Sequence, residues 1–364
     1  MAGDIRPSWR APLLLLGFAA LFLGMVAGLA RLGWSMPGAA LAAVHGPLMV
    51  SGFFGTVISL ERAVALGRRW AYAAPLASGL GTLALVFATP RVAGPALSLA
   101  GSAVMLAASL SVYRRQRESF TLTLALGAAC WVVGNLLWLD GYPVYTAVPW
   151  WLAFLVLTIA GERLELSRLL RPSVAARRVF AILIAALLGG VALSLVWRTV
   201  GTSVLGLALG GLALWLMRQD IARRTVKGRG LTRFIAVCLL SGYVWLAVGA
   251  VSMLASGGLG FGGAAYDAAL HAVLLGFVFS MVFGHAPIIL PAVLRVAVPY
   301  HPYFYAPLVL LHGSLLIRIV GDFMLLPGWR AWGGALNGVA LLAFVLGTIA
   351  AVIVGSQSVR GNYS

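Results

Sequence analysis

Charge is what this chain has least of. Only 10% of its 364 residues are Asp, Glu, Lys or Arg, and nine acidic residues face 26 basic ones. A soluble domain carries about 25% charged residues, so an ordinary water-exposed surface is missing. Cysteine is also scarce. Cys130 and Cys238 are the two present, each inside an apolar run, which argues against a disulfide framework and against a CxxC metal or redox motif. No Ser–His–Asp or Cys–His set, P-loop or low-complexity segment occurs, and the glycine-rich stretch 257–263 (GGLGFGG) reads as loop packing rather than a phosphate cradle. The formal charge of +17 comes almost wholly from Arg. Those Arg sit in short loops between apolar segments, which points to membrane topology and away from nucleic acid.

Apolar residues fill the space that charge leaves. They make up 62% of the chain, and mean hydropathy is +1.00. The expected class is an all-α polytopic membrane protein. About twelve spans are expected, centred on residues 12–30, 40–60, 72–89, 94–113, 120–139, 144–162, 179–197, 200–217, 233–254, 265–286, 303–321 and 333–355. The run Ala11–Ala30 is long for a signal peptide and reads as an uncleaved first helix. Basic residues concentrate in alternate loops: Arg62, Arg68 and Arg69; Arg114, Arg115 and Arg117; Arg163, Arg168, Arg171, Arg177 and Arg178; Arg218, Arg223, Arg224, Lys227 and Arg229. The positive-inside rule then puts both termini in the cytoplasm, as expected for a bacterial inner-membrane protein. Trp34, Trp70, Trp138, Trp150, Trp151, Trp197 and Trp329 fall at span ends, where an interfacial aromatic belt is expected.

Taken in fours, the spans show a weak repeat. Segments 55–69 (GTVISLERAVALGRR), 157–171 (LTIAGERLELSRLLR) and 282–295 (VFGHAPIILPAVLR) place Glu61, Glu162 and His285 at corresponding ends. The chain is read as a single membrane domain over 1–364, with possible four-helix units 1–115, 116–218 and 219–364.

Histidine marks the candidate site, because an imidazole in an apolar span is costly and is a functional candidate by default. His271 and His285 lie fourteen residues apart on span ten, nearly on one helix face and about 21 Å apart along the axis. His45 on span two and His271 each lie roughly 8 Å inside the same boundary. Two neutral imidazoles at matched depth suit the axial positions of a six-coordinate haem. Met49, Gly52, Thr56 and Ser59 share the His45 face, and small residues there would let a flat ring approach. Asp267, one turn from His271, either accepts from its far nitrogen or simply occupies the favourable first turn of the helix. Arg318 either meets haem propionates or pairs with Asp322 at i+4. His285, His301 and His312, with Met281 one turn from His285, form a candidate copper site. Against that, His301 lies in a Pro- and Tyr-rich loop, His285 precedes Pro287, and His312 alone would bond a carbonyl.

The stretches HGPLMVSGFFG (45–55) and LHAVLLGFVFSMVFGHAPIILP (270–291) resemble the NnrS-like proteins of the haem–copper oxidase subunit I superfamily. That resemblance implies twelve helices in three arcs of four. It implies a low-spin haem b held by His45 and His271, with copper as a possible second cofactor. It also implies a role in electron transfer or nitric oxide stress, with an unidentified redox partner. Spans six and seven contain no histidine, so the superfamily's binuclear centre has no ligands at those positions. A secondary transporter without a redox cofactor is the competing expectation, and an assembly subunit is a third.

Overall fold

Twelve helical rods account for nearly all of the regular structure. The computed structural model describes residues 4–87, 91–170 and 172–361, and no strand occurs among them. In order, the rods are α1 (Pro7–Arg31), α2 (Ala40–Leu66), α3 (Ala73–Val86), α4 (Ala93–Arg115), α5 (Ser119–Leu139) and α6 (Val144–Ser167). They continue with α7 (Val174–Leu193), α8 (Arg198–Gln219), α9 (Gly230–Ala255), α10 (Ala264–Leu294), α11 (Pro302–Phe323) and α12 (Pro327–Gly361). Eleven are long and apolar enough to cross a membrane. The exception, α3, has fourteen residues, about 21 Å of helix against a hydrocarbon core of about 30 Å. Residues 88 and 89, the end of the expected third span, lie outside the described residues, as does Arg171. The chain is an all-α polytopic membrane protein.

Local chemistry sets the helix ends. Pro7 opens α1, where a missing N–H costs nothing. Glu118 and Thr121 form a reciprocal capping box at the start of α5, and Ser173 accepts from Ala176 N–H at the start of α7. Arg295 ends α10 in the left-handed region, at φ 57°.

The chain packs as two compact units that divide between Gly161 and Glu162, inside α6, where the threefold reading has no boundary. In the first unit, Gly55 of α2 lies flat against Trp131 of α5, and Trp131 stacks on Phe154 with centroids 4.9 Å apart. The hydrogen-bonding groups of this core are joined. Trp131 Nε1–H donates to Ser51 Oγ (3.1 Å), and Ser51 O–H donates to Asn135 Oδ1 (2.9 Å). Trp151 Nε1–H donates to the same oxygen (3.1 Å), while the Asn135 amide donates to Ser98 C=O (3.0 Å). Trp151 is only 1% exposed, so the expected interfacial residue is instead a core hydrogen-bond donor. Trp70, Trp197 and Trp329 are exposed, as a belt requires.

In the second unit, Phe283 and Phe344 stack at 3.9 Å, and Gly276 of α10 takes the indole of Trp245. Gly321 and Gly333 bring α11 and α12 into backbone contact, since a Cβ on either would meet main-chain atoms of the facing helix within 2.6 Å. Both cysteines are buried and free.

Two rods depart from regular α-helix in the same way. In α2, His45–Pro47 is followed by a π-helical stretch, Leu48–Phe54. In α10, Ala264–His271 is followed by another, Ala272–Phe279. Wide turns of this kind are rare and cluster at functional sites.

Candidate functional site

In the first unit, α1 shapes the surroundings of His45. His45 Nδ1 lies 2.7 Å from Gly24 C=O. A carbonyl only accepts, so Nδ1 carries a proton and donates it. The imidazole rests against Gly28, where a Cβ would stand 2.9 Å from Cε1; a Cβ on Gly24 would stand 2.5 Å from Met49 Sδ. The spacing Gly24–x–x–x–Gly28 is a close-approach motif visible in the sequence, and it marks the face of α1 that receives His45. Thr56 and Gly52 have a different use from the one expected. Gly17 packs against Thr56 and Val57, and Gly52 admits Ala20 and Thr82, so these small residues of α2 seat α1 and α3.

In the second unit, His271 also carries a proton on Nδ1. Its Nδ1 is 2.9 Å from Asp267 C=O and 3.2 Å from Asp267 Oδ1. Asp267 therefore does stand behind the imidazole, in the arrangement that fixes ring orientation in metal-ligating histidines. The same carboxylate receives a bidentate fork from Arg318, Nε to Oδ2 at 2.8 Å and Nη2 to Oδ1 at 2.9 Å. Arg330 approaches Oδ2 at 3.7 Å and lies 3.1 Å from Asp322 Oδ1. The nearest cation to Asp322 is thus Arg330 on α12, while Arg318, a turn away on the same helix, is committed to α10. The Asp322 side chain is fully buried, and neither oxygen receives a hydrogen bond. Asp267, His271, Arg318, Asp322 and Arg330 form one charged cluster from α10, α11 and α12, and sequence spacing connected only parts of it.

The three histidines of the candidate copper site are not brought together. No group of three or more His, Cys, Asp or Glu capable of holding a metal occurs among the described residues. His285 Nδ1–H donates to Met281 C=O at 2.6 Å, and its Nε2 accepts from Arg163 Nη2 at 2.9 Å. The Met281 carbonyl, rather than its sulfur, meets the ring; the Met281 methyl fills the space over Gly242. His312 Nδ1 accepts from Trp245 Nε1–H (2.8 Å) and its Nε2–H donates to Ser241 Oγ (3.0 Å). His301 is exposed, and its Nδ1 accepts from Tyr303 N–H (3.1 Å) at the start of a short 3₁₀ turn. In each ring the lone pair that copper would need already accepts a proton donor.

Arg163 is the residue that sequence reasoning misplaced. It was grouped with the basic loop residues, yet it is 5% exposed and holds His285. Nearby in the same unit, Tyr243 O–H donates to Asp220 Oδ2 at 2.6 Å, with Asp220 only 3% exposed. Glu162, next to Arg163 in sequence, belongs to the same helix end, and nothing in the spacing told one buried Arg from several exposed ones.

The fold and the two histidine environments define a polytopic α-helical membrane protein with imidazoles held inside its spans. More particularly, the chain belongs to the family described as Domain of unknown function (DUF8744), whose model matches residues 10–353. No curated protein matches the chain.

Proposed function

We propose that this chain is a haem-binding protein of the bacterial inner membrane, both termini cytoplasmic, with His45 and His271 as ligands of a haem b iron. One observation carries the reading: the two histidines stand in two rods interrupted in the same way, each oriented by a bond from Nδ1–H to a main-chain carbonyl, with a π-helical stretch that begins three residues after His45 and directly after His271. Haem would supply one-electron chemistry and, on loss of an axial imidazole, a position for a small gas such as nitric oxide. The residues themselves do the orienting. Gly24 and Gly28 fix the plane of the His45 ring, and Asp267, clamped by Arg318, fixes that of His271. Copper is not part of this reading, because His285 and His312 spend their lone pairs on Arg163 and Trp245. The role is electron transfer or nitric oxide and redox stress response, as the NnrS-like resemblance of 45–55 and 270–291 implies.

A dithionite-reduced minus oxidised absorption spectrum, with iron assayed on the same purified sample, is the test. The expected result is a low-spin haem b signal with one iron per chain. His45→Ala and His271→Ala should each abolish that signal or convert it to a high-spin form. An unchanged low-spin spectrum in both variants would overturn the proposal.

A secondary transporter is the second reading, and two observations favour it. The π-helical interruptions stand at corresponding places in α2 and α10, each close after a histidine. Ionisable Asp267, Arg318 and Asp322 lie inside membrane-spanning rods, the usual mark of an ion path. Counterflow uptake in liposomes that survives haem depletion would put this reading first.

A further inference from the structure

The loops joining α6 to α7 and α8 to α9 are distant in sequence, and the second unit brings them together. Trp215, one turn before the end of α8, donates Nε1–H to Ala176 C=O in the first turn of α7 at 2.8 Å. That bond sets Arg177 and Arg178 beside the end of α8, where Arg218, Arg223, Arg224 and Lys227 follow, and all six are exposed. No acidic residue stands in the first turn of α7. Between Glu165 and Asp267 the chain has one acid, Asp220, and it does not offset this charge at the surface. Asp220 is 3% exposed, accepting Ala222 N–H on Oδ1 (2.8 Å) and Tyr243 O–H on Oδ2 (2.6 Å). The carboxylate is therefore a peg that holds the basic turn in place. Exposed basic groups on adjoining helix ends repel one another unless an anion joins them.

What borders the patch identifies the anion. Val174 (55% exposed), Val179 (47%) and Ile182 (66%) on α7, and Leu214 (71%) on α8, present apolar side chains next to the basic ones. A nucleic acid or an acidic peptide would leave that border unsatisfied. An anionic phospholipid answers both halves, with phosphate on the guanidinium forks and acyl chains along the valines and leucine.

We propose that the α7 start and the α8–α9 turn form a binding site for anionic phospholipid headgroups, built by the Trp215–Ala176 bond and the buried Asp220 peg. Positive-inside topology accounts for basic residues in the loop; it does not require them to be assembled and pegged. Each basic residue near a lipid phosphate is worth roughly a fivefold gain in binding. The site is independent of the haem reading.

The test uses the purified full-length chain in zwitterionic-detergent micelles. It is titrated separately with phosphatidylglycerol, phosphatidylcholine and inorganic phosphate, and bound lipid is counted by native mass spectrometry. The wild type should prefer phosphatidylglycerol over phosphatidylcholine by tenfold or more, and millimolar phosphate should not displace it. Combining Arg177→Gln, Arg178→Gln, Arg223→Gln and Arg224→Gln should remove at least tenfold of that preference. The same four positions changed to Lys should retain most of it, which separates lost charge from lost fold. Arg114→Gln, Arg115→Gln and Arg117→Gln, on an exposed basic loop of the first unit, should leave the preference unchanged. Equal loss in that control, no headgroup preference in the wild type, or full displacement by phosphate alone would overturn the proposal.

Discussion

At the scale of single residues, the decisive fact is which partner orients each imidazole. His45 and His271 donate Nδ1–H to main-chain carbonyls, while the lone pairs of His285 and His312 accept from Arg163 and Trp245. Sequence placed all four inside apolar spans and ranked them only by depth. The partners that separate them are Gly24, Asp267, Arg163 and Trp245, three of them on other helices, which no spacing rule reaches. The Asp267–Arg318 fork yields a stability prediction. Asp267→Leu alone leaves the Arg318 guanidinium, 6% exposed, without its carboxylate. It should cost about 3–5 kcal/mol, read as a fall in denaturation midpoint in mixed micelles. Adding Arg318→Met should recover most of the loss, because both charges then leave the interior. A double variant no more stable than Asp267→Leu would show that the fork is not the source of the loss.

At the scale of elements, helices were legible and their interruptions were not. Every rod but α3 carries an apolar run of membrane length, so eleven of the twelve expected spans satisfy the length and hydropathy a crossing needs. The π-helical turns in α2 and α10 have no such signal, since the residues in them are as apolar as their neighbours. Glycine shows the same contrast in a testable form. A Cβ on Gly55 would stand 2.3 Å from Trp131 Cζ2, whereas one on Gly189 of α7 meets nothing within 4 Å. Gly55→Ala should destabilise by about 1–3 kcal/mol through overpacking. Gly189→Ala should be neutral or stabilise by roughly 0.5–1 kcal/mol through helix propensity. Thermal unfolding of the two variants side by side separates packing from propensity, and equal losses would mean that neither glycine is placed as described.

At the scale of the whole molecule, burial inside apolar rods should govern chemical access. Cys130 and Cys238 are free and buried, 2% and 0% exposed. A maleimide reagent should therefore label neither thiol in the native protein and both after unfolding in SDS; native labelling of either would show that its unit is open. The charge pattern separates at this scale too. Most described Arg of the α6–α7 and α8–α9 connections are exposed, but Arg163 is drawn inside to meet His285, and Asp220 is drawn inside to meet Tyr243.

Composition and run length by themselves determined that this is an all-α membrane protein and where its helices lie. Those properties are local: a helix in lipid must satisfy its own backbone hydrogen bonds and present about twenty apolar residues, whatever its neighbours are. Sequence also found the histidines, because a polar ring in an apolar run is conspicuous. Only the tertiary structure decided which partner each of them meets, that Arg318 serves Asp267, that Trp151 lies inside, and that Trp215 ties α8 to the start of α7. Each of those depends on groups from different helices meeting within about 3 Å, and such meetings are set by how helices pack, which no single segment encodes.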